Sequence, residues 1–170
     1  GFVGVLDNAG TFTVKRKIAS STLNEKVIGS ALSSTNELYL LLETSVTANA
    51  ADKSIVLAKT TVGTQAISID WIKEVSNNVY SFLDASIAID EFDEIYLSAT
   101  LQLKSDDTTR DSFWVGKFNN TGTSLWSKRY VAPGRDINLA PKTNVDIFNQ
   151  LNIAYTREDN TTNKLTVNSL

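Results

Sequence analysis

The sequence has no cysteine, no histidine and no methionine among its 170 residues, and only two prolines. The absence of cysteine excludes disulfides and thiolate metal sites. The absence of histidine removes the most frequent general base, a common zinc ligand and the side chain that titrates near neutral pH. A serine nucleophile would also have no imidazole to activate it. These absences predict a protein that is not an enzyme and holds no cofactor or metal.

An excess of positive charge is also absent. The net charge is −3 and the isoelectric point is about 5.0, which argues against a nucleic-acid partner because such proteins usually carry a basic excess. The basic clusters Lys15-Arg16-Lys17 and Lys128-Arg129 are more typical of a solvated strand face than of a phosphate site. No apolar run approaches the roughly 18 residues of a membrane helix, so we expect no membrane insertion.

The sequence does contain an internal repeat, in a chain that is apolar enough to fold. Leu38-Tyr39-Leu40 reappears as Ile95-Tyr96-Leu97, 57 residues later, and again as Ile153-Ala154-Tyr155 after a further 58. Similar spacings relate three more pairs of segments: residues 55–59 and 113–117, Trp71 and Trp126, and, at twice the period, residues 2–11 and 114–123. The period is about 57 residues.

Each repeat unit reads as four short antiparallel strands joined by polar turns. In the unit at residues 84–140, apolar alternation and β-forming residues mark the strands, and Asn119-Asn120-Thr121-Gly122 marks a hairpin turn. Four such strands per repeat are typical of a β-propeller blade. The sequence therefore predicts an all-β chain of about three consecutive blades. Its parts are the end of a preceding blade and a connection (residues 1–26), two blades (residues 27–83 and 84–140) and a partial blade (residues 141–170).

Stacking explains why such a unit is repeated, because a lone sheet cannot bury both of its faces. Trp71, Trp114 and Trp126 are then interpreted as packing residues, with a sugar-binding platform as the alternative. A closed ring usually needs four to eight blades. We therefore expect the natural chain to be longer; assembly of copies, an open stack and a β-prism are the alternatives.

The second half of the unit resembles a bacterial β-propeller repeat whose strands run Asp-Phe-Val-X-Lys, then an Asp-X-X-Gly turn, then a Trp. Residues 111–126 carry this pattern, and Ile89-Asp90 with Ile95-Tyr96-Leu97 carry the first half. The departures are Asp93-Glu94 in place of a Gly-Asn pair and Ala154 in place of a tyrosine. Similar repeats occur in virion structural proteins of tailed bacteriophages, so the resemblance implies such a role.

Acidic residues are the remaining candidates for chemistry. Asp90, Glu91, Asp93 and Glu94 form one cluster and Asp106-Asp107 another, but the first has no glycine for a calcium loop, so a solvated turn is the preferred interpretation. A glycosidase would need two facing carboxylates, and nothing in the sequence pairs the candidates, which are Asp70, Asp84, Asp90 and Asp146. We expect no catalytic, cofactor-binding or metal-binding residue.

Two functions follow from these expectations. The first is a structural and interaction module of a phage virion, in the tail, baseplate, fibre or capsid surface, with other virion or surface proteins and a host-surface glycan as partners in an oligomeric assembly. The alternative is a secreted or cell-surface bacterial propeller that binds carbohydrate or protein. Residues 47–53 and 104–111, the variable loops, are the expected contact surfaces. A propeller hydrolase is disfavoured by the absence of histidine.

Overall fold

The computed structural model describes residues 2–6, 8–17, 24–46, 53–63, 66–106, 112–131, 136–159 and 164–169. Within these ranges the chain forms thirteen β-strands and no helix. The strands are β1 (Phe2–Leu6), β2 (Phe12–Lys17), β3 (Asn24–Leu32), β4 (Leu38–Ser45), β5 (Lys53–Val62), β6 (Ile67–Val75), β7 (Tyr80–Ile89), β8 (Ile95–Leu103), β9 (Ser112–Phe118), β10 (Ser124–Val131), β11 (Asp136–Val145), β12 (Leu151–Asp159) and β13 (Lys164–Ser169). No described segment is a helix that could cross a membrane.

The strands form four antiparallel sheets in which each strand pairs with its neighbour in the chain. Sheet I contains β1 and β2, and sheet IV contains β11 to β13. Sheet II contains β3 to β6 and sheet III contains β7 to β10, each in sequential order. The prediction of repeated antiparallel four-stranded sheets is therefore confirmed for sheets II and III.

The central strands of sheets II and III, β4, β5, β8 and β9, bury side chains on both faces because a neighbouring sheet lies on each side. On β8, Ile95 and Leu97 face sheet II, whereas Ser98 faces sheet IV and donates a hydrogen bond to the carbonyl of Pro141 over 3.1 Å. Side-chain alternation with a period of two along a strand supplies both surfaces. The largest core lies between sheets II and III and includes Tyr39, Leu41, Ile55, Leu57, Phe82, Ile95, Leu97, Leu101 and Phe118.

The turns between first and second strands share one design. Residues 33–37, 90–94 and 146–150 each begin with a Ser or Asp whose side-chain oxygen accepts backbone N–H groups two and four residues later. The fourth residue of each has positive φ: Asn36 at 63°, Asp93 at 59° and Asn149 at 59°. Residues 119–123, between β9 and β10, repeat the design with Asn119 first and Gly122 fourth.

A β-bulge interrupts the first strand of sheets II, III and IV at equivalent positions. The register shifts between Val27 and Gly29 in β3, between Leu83 and Ser86 in β7, and between Leu139 and Lys142 in β11. The predicted unit limits, 83/84 and 140/141, fall at two of these bulges, inside β7 and β11. A bulge adds unpaired residues without ending a strand. The sheets themselves span residues 24–75, 80–131 and 136–169.

Candidate functional site

Two equivalent groups of four side chains lie on sheets II and III, and we call them tetrads. The sheet II tetrad contains Glu37, Tyr39, Lys59 and Trp71. Lys59 pairs in register with Tyr39 on one side and with Trp71 on the other. Its Nζ lies 2.7 Å from Glu37 Oε1 and 5.9 Å from the centre of the Tyr39 ring, which is itself 5.9 Å from the Trp71 ring centre. A cross-strand row of this kind fastens three strands together.

The sheet III tetrad contains Glu94, Tyr96, Lys117 and Trp126 in the same register. Lys117 forms an ion pair with Glu94, and its Nζ lies 5.0 Å from the centre of the Tyr96 ring. The rings of Tyr96 and Trp126 are 6.4 Å apart between centres. The expected equivalence of Trp71 and Trp126 is confirmed, because both lie on the fourth strand of a sheet against a tyrosine of the second.

Sheet IV differs from sheets II and III at the position of the tetrad tyrosine. Counted from the turn at residues 146–150, the tyrosine position holds Asn152, whereas the sequence alignment placed Ala154 there. Tyr96 donates its hydroxyl hydrogen to Asp90 Oδ2 over 3.1 Å, and Asn152 donates an amide hydrogen to Asp146 Oδ2 over 3.3 Å. The asparagine therefore contacts the same acceptor position without an aromatic ring.

Burial and neighbouring charges shift the pKa of three tetrad groups: the hydroxyls of Tyr39 and Tyr96 and the ammonium of Lys117. Burial raises the pKa of the Tyr39 hydroxyl well above its usual range, and the neighbouring Glu37 carboxylate raises it further. Burial also raises the pKa of Tyr96, with Lys117 acting in the opposite direction. For Lys117 burial lowers the pKa, but the contacts with Glu94 and Tyr96 outweigh it and leave the pKa above its usual value. These groups therefore keep their charge states over the physiological pH range.

The two tetrads differ in what covers them. The turn at residues 119–123 lies over the sheet II tetrad, where the Tyr39 hydroxyl is 3.4 Å from the carbonyl oxygen of Asn120. Gly122 is buried there, so close to Trp71 that a Cβ at position 122 would lie 2.9 Å from the indole ring. In the sheet III tetrad Trp126 is 37% exposed. In sheet III the tryptophan of the tetrad is therefore partly open to solvent, while Tyr96 beside it is 5% exposed.

A second surface is formed by the turns between first and second strands, and we call it the turn face. Ser34 donates hydrogen bonds to the Asp93 carboxylate from its backbone N, over 2.8 Å, and from its hydroxyl, over 3.0 Å. Asn149 donates its amide to Glu91 Oε1 over 2.5 Å. These bonds join the turns of sheets II, III and IV into one continuous surface.

The turn face exposes large apolar side chains. Phe92 is 68% exposed, Ile147 86% and Phe148 74%. A groove of about 270 Å³ between the turns is lined by Ile89, Glu91 and Ile147, among others. Because ligand pockets usually measure about 300 to 1,000 Å³, this groove suits a side chain of a partner better than a whole small molecule. Clustered exposed apolar groups of this kind mark contact surfaces.

Sequence reasoning missed the turn face. It treated residues 90–94 as a solvated acidic turn and placed the contact surfaces in the variable loops. The strands that precede those loops, β4 and β8, end at Ser45 and Leu103, at the end of sheets II and III opposite to the turn face. Residues 47–52 and 107–111 of the loops are outside the described residues. The missed signal was that Phe92 and Phe148 occupy the same position in turns one period apart.

The acidic cluster at residues 90–94 caps its own turn and joins it to the neighbouring turn. Asp90, which is buried, accepts backbone hydrogens from Phe92 and Glu94 and the hydroxyl of Tyr96. Asp93 accepts both bonds from Ser34. Among the residues that the structure describes, no group of three or more acidic side chains is arranged to hold a metal ion. Asp107 lies outside the described residues.

The four carboxylates considered for glycoside hydrolysis lie in different settings. Asp70 on β6 accepts bonds from Thr61 and Ser68, and Asp84 lies at the β7 bulge with a φ of 48°. Asp90 and Asp146 cap adjacent turns and line the same groove, but each carboxylate is engaged by backbone N–H groups. The hydrogen bonds of the Asp146 carboxylate with Gln150 and Phe148 lower its pKa.

The other residues singled out from the sequence pack between or along sheets. Trp114 lies half-buried between sheets II and III, edge-on to Phe82 with 5.3 Å between ring centres. Arg16 donates to the carbonyl of Ile67 over 2.6 Å and so joins sheets I and II. Arg129 lies 4.5 Å from the centre of the Tyr80 ring. These contacts support a packing role for Trp114, whereas the described residues of the basic clusters are exposed, as expected of a solvated strand face.

Comparison with known proteins identifies no relative: no protein-family model matches the chain, and no curated protein matches its sequence. The likeness to propeller repeats and virion proteins therefore depends on the sequence motifs alone.

Proposed function

We propose that this chain is a non-enzymatic structural and interaction module of a phage virion, made of consecutive β-propeller blades. The observation that carries the proposal is the tetrad, which is built twice and in one case holds a turn of the next sheet. Side chains that could have served chemistry instead fasten sheet to sheet. Such a design supports assembly.

The arrangement of the sheets supports the propeller architecture. The first strands of successive sheets lie together, with β7 against β3 and β11 against β7. Each sheet packs its face on the next, as the core between sheets II and III shows. In a propeller, four-stranded sheets are arranged radially with one strand of each blade along the axis. Further copies of the unit would extend this packing.

The turn face is the proposed contact surface for other virion or surface proteins. It combines the exposed Phe92, Ile147 and Phe148 side chains with a carboxylate-rich rim at Glu91 and Asp146. An apolar centre with a polar rim is the usual composition of a protein interface. The host-surface contact of the virion would use the same end of the sheets.

Quantitative mass spectrometry of purified particles tests the virion role. The chain should be present at a fixed number of copies per particle and should remain after high-salt and density-gradient washing. A chain that is found only in the soluble fraction of infected cells, or at a ratio that varies between preparations, would refute this role.

A secreted or cell-surface binding propeller is the second candidate, favoured by the two exposed aromatic rings on the turn face. A glycan array tests it with the wild-type chain and with a Phe92→Ser, Phe148→Ser double variant. Selective binding that the double variant loses would support this candidate. The Val131→Ser variant is the matched control because Val131 is 50% exposed and ends β10 at the end of sheet III opposite to the turn face. If the wild-type chain binds no glycan selectively, the carbohydrate-binding form of this second candidate is rejected.

A further inference from the structure

We propose that the turn face binds an extended segment of a partner protein that carries two arginines three residues apart in the polyproline II conformation. The inference rests on the proposed function, in which this face contacts other virion or surface proteins, and it names the chemistry of that partner. Three observations in the described part of the chain carry it: uncompensated negative charge, exposed aromatic rings and a constant step from turn to turn.

The turn face carries negative charge that the chain does not compensate. The three turns between first and second strands contain carboxylates and neither lysine nor arginine. The tetrad lysines form ion pairs with the last residues of two of these turns, Glu37 and Glu94. Glu91, Asp93 and Asp146 form no ion pair with any residue that the structure describes. Their hydrogen bonds come from neutral donors, which leave the charge in place, so the face is complementary to a cationic partner.

Two exposed aromatic rings lie among these carboxylates. Phe92 is 68% exposed and Phe148 74% exposed, and both occupy the third position of their turns. Glu91 directly precedes the first ring in the chain, and Asp146 lies two residues before the second. An arginine stem can cover such a ring while its guanidinium binds a carboxylate through two N–H groups. Arginine suits this pair of groups better than lysine, because a planar guanidinium also stacks on the face of a ring.

The turns follow one another with a constant step. Ser34, in the second position of its turn, donates to Asp93, in the fourth position of the next turn. Asn149 donates to Glu91, which again joins a fourth position to a second position of the preceding turn. Because packed sheets lie about 10 Å apart, the third positions, which hold the two rings, are presented at about the same spacing.

This spacing favours one backbone conformation of the partner. A polyproline II segment has three residues per turn and a rise of about 3.1 Å, so it presents one side chain to the same face about every 9 Å. A β-strand presents one about every 7 Å, and an α-helix about every 5 to 6 Å. Only the first matches the turn face one side chain to one ring. The sequence that fits is therefore Arg-X-X-Arg.

The turn face stays exposed where a further sheet follows. Sheet III follows sheet II, and Thr35 and Asn36 remain exposed. Sheet IV follows sheet III, and Glu91 and Phe92 remain exposed. A further repeat would therefore extend the turn face and leave it open. The occupant is a segment of different chemistry, which the charge of the face selects.

Two synthetic peptides test the proposal on the isotope-labelled 170-residue chain. The first is Pro-Pro-Arg-Pro-Pro-Arg-Pro-Pro and the second is Pro-Pro-Pro-Arg-Arg-Pro-Pro-Pro, both with blocked ends. They have the same composition, charge and polyproline II conformation, and they differ only in the spacing of the arginines. NMR titration gives the dissociation constant of each peptide, and the shifted backbone amides locate the site.

Two double variants separate the rings from the charges. Phe92→Thr with Phe148→Thr removes the rings, and threonine is compatible with the turn because Thr35 occupies the equivalent position in sheet II. Glu91→Gln with Asp146→Asn removes two charges and keeps the hydrogen-bond acceptors. The matched controls, Val131→Thr and Glu74→Gln, make the same kinds of change at exposed positions outside the turn face.

We expect the spaced peptide to bind the wild type at least about 5-fold more tightly than the adjacent one, since it alone places an arginine on each ring. The ring variant should lose this difference. The charge variant should weaken the binding of both peptides, as should a rise in salt from about 20 mM to about 0.5 M. The control variants should bind like the wild type, and the amide shifts should centre on residues 90–94 and 146–150.

Equal affinities for the two peptides, no binding up to the solubility limit of the peptides, or shifts centred outside the turns would overturn the proposal. A charge variant that binds like the wild type would do the same. The comparison of the two peptides on the wild type needs no variant to fold. The outcome is also independent of the particle analysis: absence from purified virions would reject the virion role alone, whereas failure of the spaced peptide would reject the arginine-bearing partner alone.

Discussion

Ser34 and Asp93, which are 59 positions apart, are joined by two hydrogen bonds that link the turns of sheets II and III. Asp93 also has a φ of 59°, so it combines a strained backbone with a cross-sheet acceptor. Its equivalents Asn36 and Asn149 share the backbone conformation. The same turn position thus shapes the hairpin and, in sheet III, fastens it to its neighbour.

Substitutions at Asp93 should separate these two contributions. Asp93→Gly keeps the positive φ and loses both bonds, so it should lower the free energy of unfolding by about 1 kcal/mol. Asp93→Ala adds a backbone penalty of about 1 kcal/mol. Urea unfolding measures both, and a double-mutant cycle with Ser34→Ala isolates the hydroxyl bond. Equal stability of the Gly and Ala variants would contradict the backbone contribution.

Glycine-to-alanine changes at positions 10 and 122 should have unequal costs. Both positions have positive φ, which costs about 1 kcal/mol for alanine. At position 122 the added Cβ also meets Trp71 and Lys73, so a further 1 to 3 kcal/mol of overpacking, roughly, is expected. Guanidinium unfolding at a protein concentration where the chain is monomeric makes the comparison. A cost at position 10 that equals the cost at position 122 would mean that the turn contact with Trp71 is not tight.

The alkaline stability of the fold should depend on Tyr39. Burial and Glu37 raise the pKa of its hydroxyl in the folded chain, whereas in the unfolded chain it ionises near pH 10. The contribution of Tyr39 to the free energy of unfolding is therefore complete below about pH 10. It is lost as the pH rises further, because only the unfolded chain then releases the proton. Tyr39→Phe should reduce this alkaline loss. Urea unfolding at several pH values, with Tyr80→Phe as a matched loss of one hydroxyl, tests it. A steeper alkaline loss in Tyr39→Phe would oppose the expectation.

The acid stability should depend in part on Asp146. Hydrogen bonds from Gln150 and Phe148 lower the pKa of its carboxyl below the usual 3.8. Its contribution is present above that value and is lost as the pH falls through the folded pKa. Asp146→Asn keeps the turn design, since Asn119 occupies the equivalent position in its own turn. The stability difference between the variant and the wild type should shift in favour of the variant below about pH 4. A difference that is constant with pH would show that the carboxylate is not held by the turn.

Much of the fold was predictable because its signals are local. Alternating apolar residues, β-forming side chains and turn residues depend on neighbours within a few positions. They located β8, β9 and β10 and the turn at residues 119–123. The bulges were not recognised, because Asp84 and Pro141 interrupt a regular ladder and resemble the limit of a unit. Pro141 lies fully buried at its bulge, where a strand tolerates proline.

The candidate site was less predictable because its contacts join residues about one period apart. The carboxylates of residues 90–94 looked solvated, yet Asp90 is buried and caps its own turn, while Asp93 accepts bonds from the neighbouring turn. Nothing local distinguishes the covered Trp71 from the exposed Trp126. Their difference depends on where the turn at residues 119–123 lies.

By itself, the sequence determined the period, the strand order within a unit and the residues that permit positive φ, since these depend on side-chain periodicity and backbone sterics. Only the tertiary structure decided which copy of a repeated surface is covered and which faces solvent. The physical reason is that burial depends on the neighbouring sheet, and equivalent residues with equal local preferences meet different neighbours.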